Sequence, residues 1–143
     1  MASYTIGQAR DAIISHFESA WSGFSYDLDD IKYENKPEDR PDGDDVVWCR
    51  FRIEHTFFKK NSLSNPAGLA KYGRDAILTI QLFAPCNDGL NDEIPQSIVD
   101  IFEAGVATLP GIWFRDTTAK EIGTDGIWYQ TNITANVQYD QIK

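Results

Sequence analysis

Cysteine is scarce in this chain: Cys49 and Cys86 are the only two among 143 residues. Neither a CxxC pair nor a Cys/His ligand spacing occurs, which speaks against a zinc site. Cys49 lies in an alternating strand pattern and Cys86 follows Ala84-Pro85 at a turn. Both are expected to be reduced thiols of a cytosolic protein. Long apolar runs are absent too. No stretch approaches the roughly 20 residues of a membrane-spanning helix. The opening Met1-Ala2-Ser3-Tyr4 lacks the basic and apolar regions of a signal peptide. No membrane partner is expected. No P-loop, GxGxxG after a strand, GxSxG or HExxH is present.

Basic residues are outnumbered. Lys and Arg total 13 against 22 Asp and Glu, a formal net charge of −9. A field of that sign repels nucleic acid and anionic membrane surfaces. Specific nucleic-acid binding is therefore not expected. What the chain holds in plenty is aromatic surface: 13% of residues, including Trp21, Trp48, Trp113 and Trp128. That suits a dense core or an interface. The length is that of one ordinary domain, spanning 1–143.

The periodicity predicts a first helix from Ile6 to about Trp21. Thr5 can cap it, with Gln8 completing a capping box. Ala9, Ala12, Ile13, His16, Phe17 and Ala20 form its apolar stripe. From Asp27 to Asp45 nine acidic and three basic residues surround one short extended piece, Ile31-Lys32-Tyr33-Glu34. The rest reads as a self-repelling loop. Val47, Cys49, Phe51 and Ile53 alternate with Trp48, Arg50, Arg52 and Glu54, a strand that can run on to Phe58.

Lys59 to Gly73 is rich in turn formers and is expected to be loop. Ala76 to Phe83 reads as a second strand, stopped by Pro85. The two strands predict an extended β-hairpin arm between about Arg52 and Leu82. A second helix follows Asn87-Asp88-Gly89, with Ile94, Ile98, Ile101, Phe102 and Gly105 on one face and Pro95 in its first turn. Gly111 to Arg115, a turn at Gly123-Thr124-Asp125-Gly126, and a last strand from Ile127 to Tyr139 complete the order. The expected fold class is α+β: a single domain with an antiparallel or mixed β-sheet and two amphipathic helices packed on one face.

Candidate chemistry is thin. His16 sits on the apolar stripe and is expected to be a packed side chain. His55 and Glu54 are strand neighbours, so they point to opposite faces and do not form a couple. Asp42-Gly43-Asp44-Asp45 lacks the ligand spacing of a calcium loop. No catalytic, cofactor-binding or metal-ligating residue is assigned. Charge segregation is more informative. Phe58 to Arg74 contains Lys59, Lys60, Lys71 and Arg74 and no acidic residue, opposite in sign to Asp27–Asp45. Opposite patches permit head-to-tail contact between copies, which closes into a ring when the rotation allows.

Several segments resemble the siphophage tail terminator family, the lambda-like minor tail protein U and related tail-completion proteins. They are the helix with His16-Phe17 and Trp21, Ile31-Lys32-Tyr33-Glu34-Asn35 before a Pro-containing loop, and the Trp48-Cys49-Arg50-Phe51 strand. Tyr72-Gly73-Arg74 leading into Leu78 to Pro85 ahead of the Ile98/Ile101-Phe102 helix adds to the likeness. So do Ile122-Gly123, Gly126 to Gln130 and Val137-Gln138-Tyr139-Asp140. The resemblance spans nearly the whole chain.

It implies a non-enzymatic virion protein without cofactors. Such a protein forms a ring, typically a hexamer, on the last ring of the tail tube. It stops tube polymerisation and presents a surface to the head-completion or connector proteins. Its partners would be itself, the tube protein and the connector, with DNA passing through the ring. Its place would be the head-proximal end of the virion tail, and the host cytoplasm during assembly. Phe57, Phe58, Lys59, Lys60, Lys71, Tyr72 and Arg74 are the candidate subunit or tube contacts. Other expectations are a different head–tail joining subunit such as a stopper, a small binding module, and an enzyme with an unfamiliar site.

Overall fold

The computed structural model describes residues 3–24, 26–33, 46–60, 71–85, 93–103, 111–125 and 128–142. Its elements in chain order are α1 (Ile6–Gly23), a short 3-10 turn (Leu28–Asp30), β1 (Ile31–Tyr33), β2 (Trp48–Lys60), β3 (Lys71–Pro85), α2 (Glu93–Glu103), β4 (Ile112–Asp125) and β5 (Trp128–Ile142). The strands form one five-stranded sheet in the order β1-β2-β3-β5-β4. β1 runs parallel to β2, and every other neighbouring pair is antiparallel. The fold is α+β with a mixed sheet and both helices on one face, as expected.

α1 starts where its cap chemistry dictates. The Gln8 amide N–H donates to Thr5 Oγ1 at 3.1 Å, and the Thr5 N–H donates to Gln8 Oε1 at 3.0 Å. Two of the donors that a helix start leaves unsatisfied are thereby paired. The helix buries Ala9, Ile13, Phe17 and Trp21. Trp21 extends the predicted stripe by one turn. Its Nε1 donates to the Asp27 carbonyl at 2.8 Å, fixing the chain as it leaves the helix.

α2 buries Ile94, Pro95, Ile98, Val99 and Phe102. These side chains meet the inner face of the sheet: Ile31, Cys49, Phe51, Leu78, Ile80, Leu82, Ile112, Ile133, Ala135 and Val137. Phe17 lies at the centre, with ring centroids 5.0 Å from Phe51 and 6.2 Å from Phe102. His16 is the packed side chain expected of it, its Nε2 3.0 Å from the Ile101 carbonyl and its ring edge-on to Phe102.

Four expectations need correction. Lys59, Lys60 and Lys71 to Gly73 belong to strands, and the ladder closes with Lys59↔Gly73 and Lys60↔Tyr72. Cross-strand pairing has overridden the local turn signals there. Gly123, Thr124 and Asp125 are also strand residues, Gly123 adopting φ 120° at a bulge in β4. Glycine carries no Cβ to obstruct that conformation. β5 runs to Ile142, three residues beyond Tyr139. Finally, the β2–β3 hairpin is not a free-standing arm among the described residues. β5 accompanies β3 along its whole length, from Pro85↔Trp128 to Lys71↔Ile142. Most of the acidic stretch, Cys86, Gly105 and the Asn87-Asp88-Gly89 turn lie outside the described residues.

Candidate functional site

The alternation of each strand gives the sheet two faces of different character. The inner face is apolar under the helices and becomes polar toward the end where β2 finishes. There His55 Nε2 and the Tyr139 hydroxyl share a hydrogen bond of 2.6 Å whose direction is set by the imidazole tautomer. Tyr139 is 2% exposed. Tyr4 rests edge-on against its ring, and the Tyr4 N–H donates to the Asp140 carbonyl at 3.0 Å, tying the start of the chain to β5.

Arg74 lies on the same face and is 7% exposed. Its Nε and Nη2 donate to Gln141 Oε1 at 3.1 and 2.9 Å, and its guanidinium sits 5.3 Å from the Tyr72 ring centre. Burial, opposed by the positive charges of Arg74 and Arg10, pushes the Tyr139 phenol up to about 12. Burial first, then Arg10 and Arg74, holds His55 below the usual histidine value. A phenol so raised stays protonated, the reverse of what a tyrosine base needs. The arrangement locks strand ends together.

Sequence reasoning missed Tyr139 as the partner of His55. The neighbour Glu54 points to the opposite face, and a hydrogen bond spanning 84 positions has no local signal. The Cys49 thiol is buried and free, and burial, then Asp30, raises it well above its ordinary value. It is an unreactive core group. Among the described residues no set of three or more His, Cys, Asp or Glu is placed to hold a metal ion. No helix among them is long and apolar enough to cross a membrane.

The outer face differs. At one end Trp48, Phe83 and Trp128 are buried together, with Trp48 stacked on Phe83 at 4.2 Å and edge-on to Trp128. The Trp128 indole N–H donates to the Val46 carbonyl at 3.1 Å. Arg50 covers the patch, 5.3 Å from the Trp48 ring and 5.7 Å from Phe83. Beyond it the described outer side chains are all half-buried or exposed: Arg52, Glu54, Ile77, Thr79, Gln81, Trp113, Arg115, Thr118, Asn132, Thr134, Asn136 and Gln138 among them. Ile77, Trp113 and Ile122 are large apolar groups left exposed.

Both lateral edges of the sheet are open among the described residues. β1 pairs with Cys49 to Phe51, and no described strand lies beyond β2 from Arg52 onward. β4 has β5 on one side and no strand on the other. Its second half is exposed on both faces, from Thr118 to Ile122. Two bulges, Arg115/Thr118 and Glu121/Gly123, interrupt it. Asp116 in the first has φ 54°, a conformation that aspartate tolerates, and its Oδ2 accepts from Asn136 Nδ2 at 3.3 Å.

The seven sequence-predicted contacts gather at one end of the sheet, where β2 and β3 pair Phe57↔Asp75, Phe58↔Arg74 and Lys60↔Tyr72. The side chains of Phe57, Phe58, Lys59, Lys60 and Lys71 lie outside the described residues. Tyr72 is half-buried. Arg74 is not a surface cation, because Gln141 and Tyr72 hold it within its own sheet.

No family model matches the chain, and no curated protein does. Among solved structures, a chain known only by a sequence identifier is similar over 91% of this chain and 94% of its own length, at 13% identity and a TM-score of 0.52. That likeness bears on the fold alone.

Proposed function

We propose that this chain is a structural subunit that assembles with copies of itself into a ring, and that the ring terminates a bacteriophage tail tube. The observation that carries the reading is the division of the sheet. Its helix-covered face is closed, while among the described residues its outer face and both lateral edges are open and lined by exposed polar and apolar groups. A surface of that kind suits contact with other protein chains. The polar groups that do converge, His55, Tyr139, Arg74 and Gln141, bond to one another across the strands.

The work of such a subunit is geometric: one ring face matches the tube and the other the head-completion protein. The sequence resemblance to tail terminators supplies the identity of these partners, and the open edges supply a means of self-association. The test is mass by light scattering over a concentration series with and without magnesium, then negative-stain imaging with purified tail tubes. A hexamer-sized species with a central hole, or tubes capped at one end, supports the reading. A monomer that never engages tubes overturns it in favour of a small binding module.

A further inference from the structure

Strand polarity alternates from β2 through β3 and β5 to β4. A second copy placed beside the first in the same orientation therefore brings its β2 antiparallel to the first copy's β4. No inversion is needed, which is the condition for a head-to-tail contact that can close into a ring.

The register makes the junction specific. Glu54 lies level with Ile77, Ile77 with Asn136, and Asn136 with Arg115. These four residues form one row across the outer face. Continued level into the next copy, the row sets Arg115 opposite Glu54. Arg115 is exposed and holds no ion pair among the described residues, and Glu54 is exposed with one partner, Arg52, at 3.0 Å. The adjacent row runs Arg52, Thr79, Thr134 and Thr118, set off from the first on β4 by the bulge at Arg115/Thr118. The bulges on both strands make each edge a poor template for indiscriminate pairing.

We infer that the edge of β4 left open among the described residues pairs antiparallel in one copy with the corresponding open edge of β2 in the next, with Arg115 facing Glu54 across the junction. This rests on the ring reading above. The test uses two full-length chains, Glu54→Cys and Arg115→Cys, oxidised separately and as a mixture, with the unsubstituted chain as blank. Opposed residues on antiparallel strands lie about 4.5–5.5 Å apart at Cα, within disulfide reach. A covalent dimer in the mixture alone is the expected result. A dimer of Arg115→Cys by itself would mean a two-fold β4 contact and overturn the proposal. So would no dimer anywhere while the unsubstituted chain forms rings, an outcome that leaves the ring reading standing. Failure of the unsubstituted chain to assemble or cap tubes removes both.

As a second measurement, Glu54→Arg or Arg115→Glu should each raise the concentration for half-assembly about fivefold, and the double reversal should largely restore it. Circular dichroism confirms that the variants fold. Single reversals without effect, in chains that fold, would overturn the proposal as well.

Discussion

The two faces of one sheet solve different problems with the same strands. On the inner face Leu78, Ile80, Ile133 and Val137 are buried beneath two helices, and packing there holds the fold. On the outer face Thr79, Gln81, Asn132 and Thr134 come from the same segments of β3 and β5, yet remain half-buried with no layer over them among the described residues. The period-2 geometry of a strand allows both outcomes within one run of residues. The contrast separates what stabilises the molecule from what is left for contact.

That contrast can be broken most forcefully at its centre. Phe17→Ala removes the ring between Phe51 and Phe102 and should cost about 3–5 kcal/mol in denaturant unfolding. Gln81→Ala on the outer face should change stability by less than about 0.5 kcal/mol. Equal effects would erase the distinction between the faces.

The buried outer patch is the exception, and a smaller change sharpens it. Trp128→Phe leaves the Val46 carbonyl without its donor and should cost about 1–3 kcal/mol. Trp48→Phe should cost less in the same assay, because the buried Trp48 Nε1 has no hydrogen-bond partner among the described residues. At the start of α1, Thr5→Ala should cost about 1 kcal/mol, read as a lower melting temperature.

A pH slope comes from the polar end of the inner face. The Tyr139 phenol is raised in the folded state to about 12. Between its unfolded value near 10 and that value the unfolded chain binds fewer protons, so stability falls as pH rises. His55 is lowered, so the unfolded chain binds more protons below its ordinary value near 6.5, and stability falls as pH drops through that region. Denaturation midpoints of Tyr139→Phe and His55→Asn should each lose one of these slopes.

Much of the fold was legible because it rests on local patterns. The Thr5/Gln8 capping box, the Ala9-Ile13-Phe17 stripe, the isolated Ile31 to Tyr33 strand and the alternation of Cys49, Phe51 and Ile53 all recur in the structure. Strand ends were less legible. Lys59, Lys60 and Gly73 carry turn or charge signals that a long-range ladder overrides, and Gly123 marks a bulge where a turn was expected. Of the candidate contacts, Phe57, Phe58 and Tyr72 stand out by aromatic character, and Lys59, Lys60, Lys71 and Arg74 by charge along the chain. Arg74 shows the weakness of that criterion, since a cation in a strand can face inward and be bound by a residue such as Gln141.

The composition of the layers is written in residue order: two amphipathic helices, strands of alternating polarity, and an acidic excess. Hydrophobic periodicity is a property of neighbours, and neighbours are written in order. Which strand stands at each edge, that His55 meets Tyr139, and that Glu54, Ile77, Asn136 and Arg115 share one row all come from the tertiary structure. Those relations join residues far apart in the chain. They are set by sheet order and register, which depend on how the whole core packs.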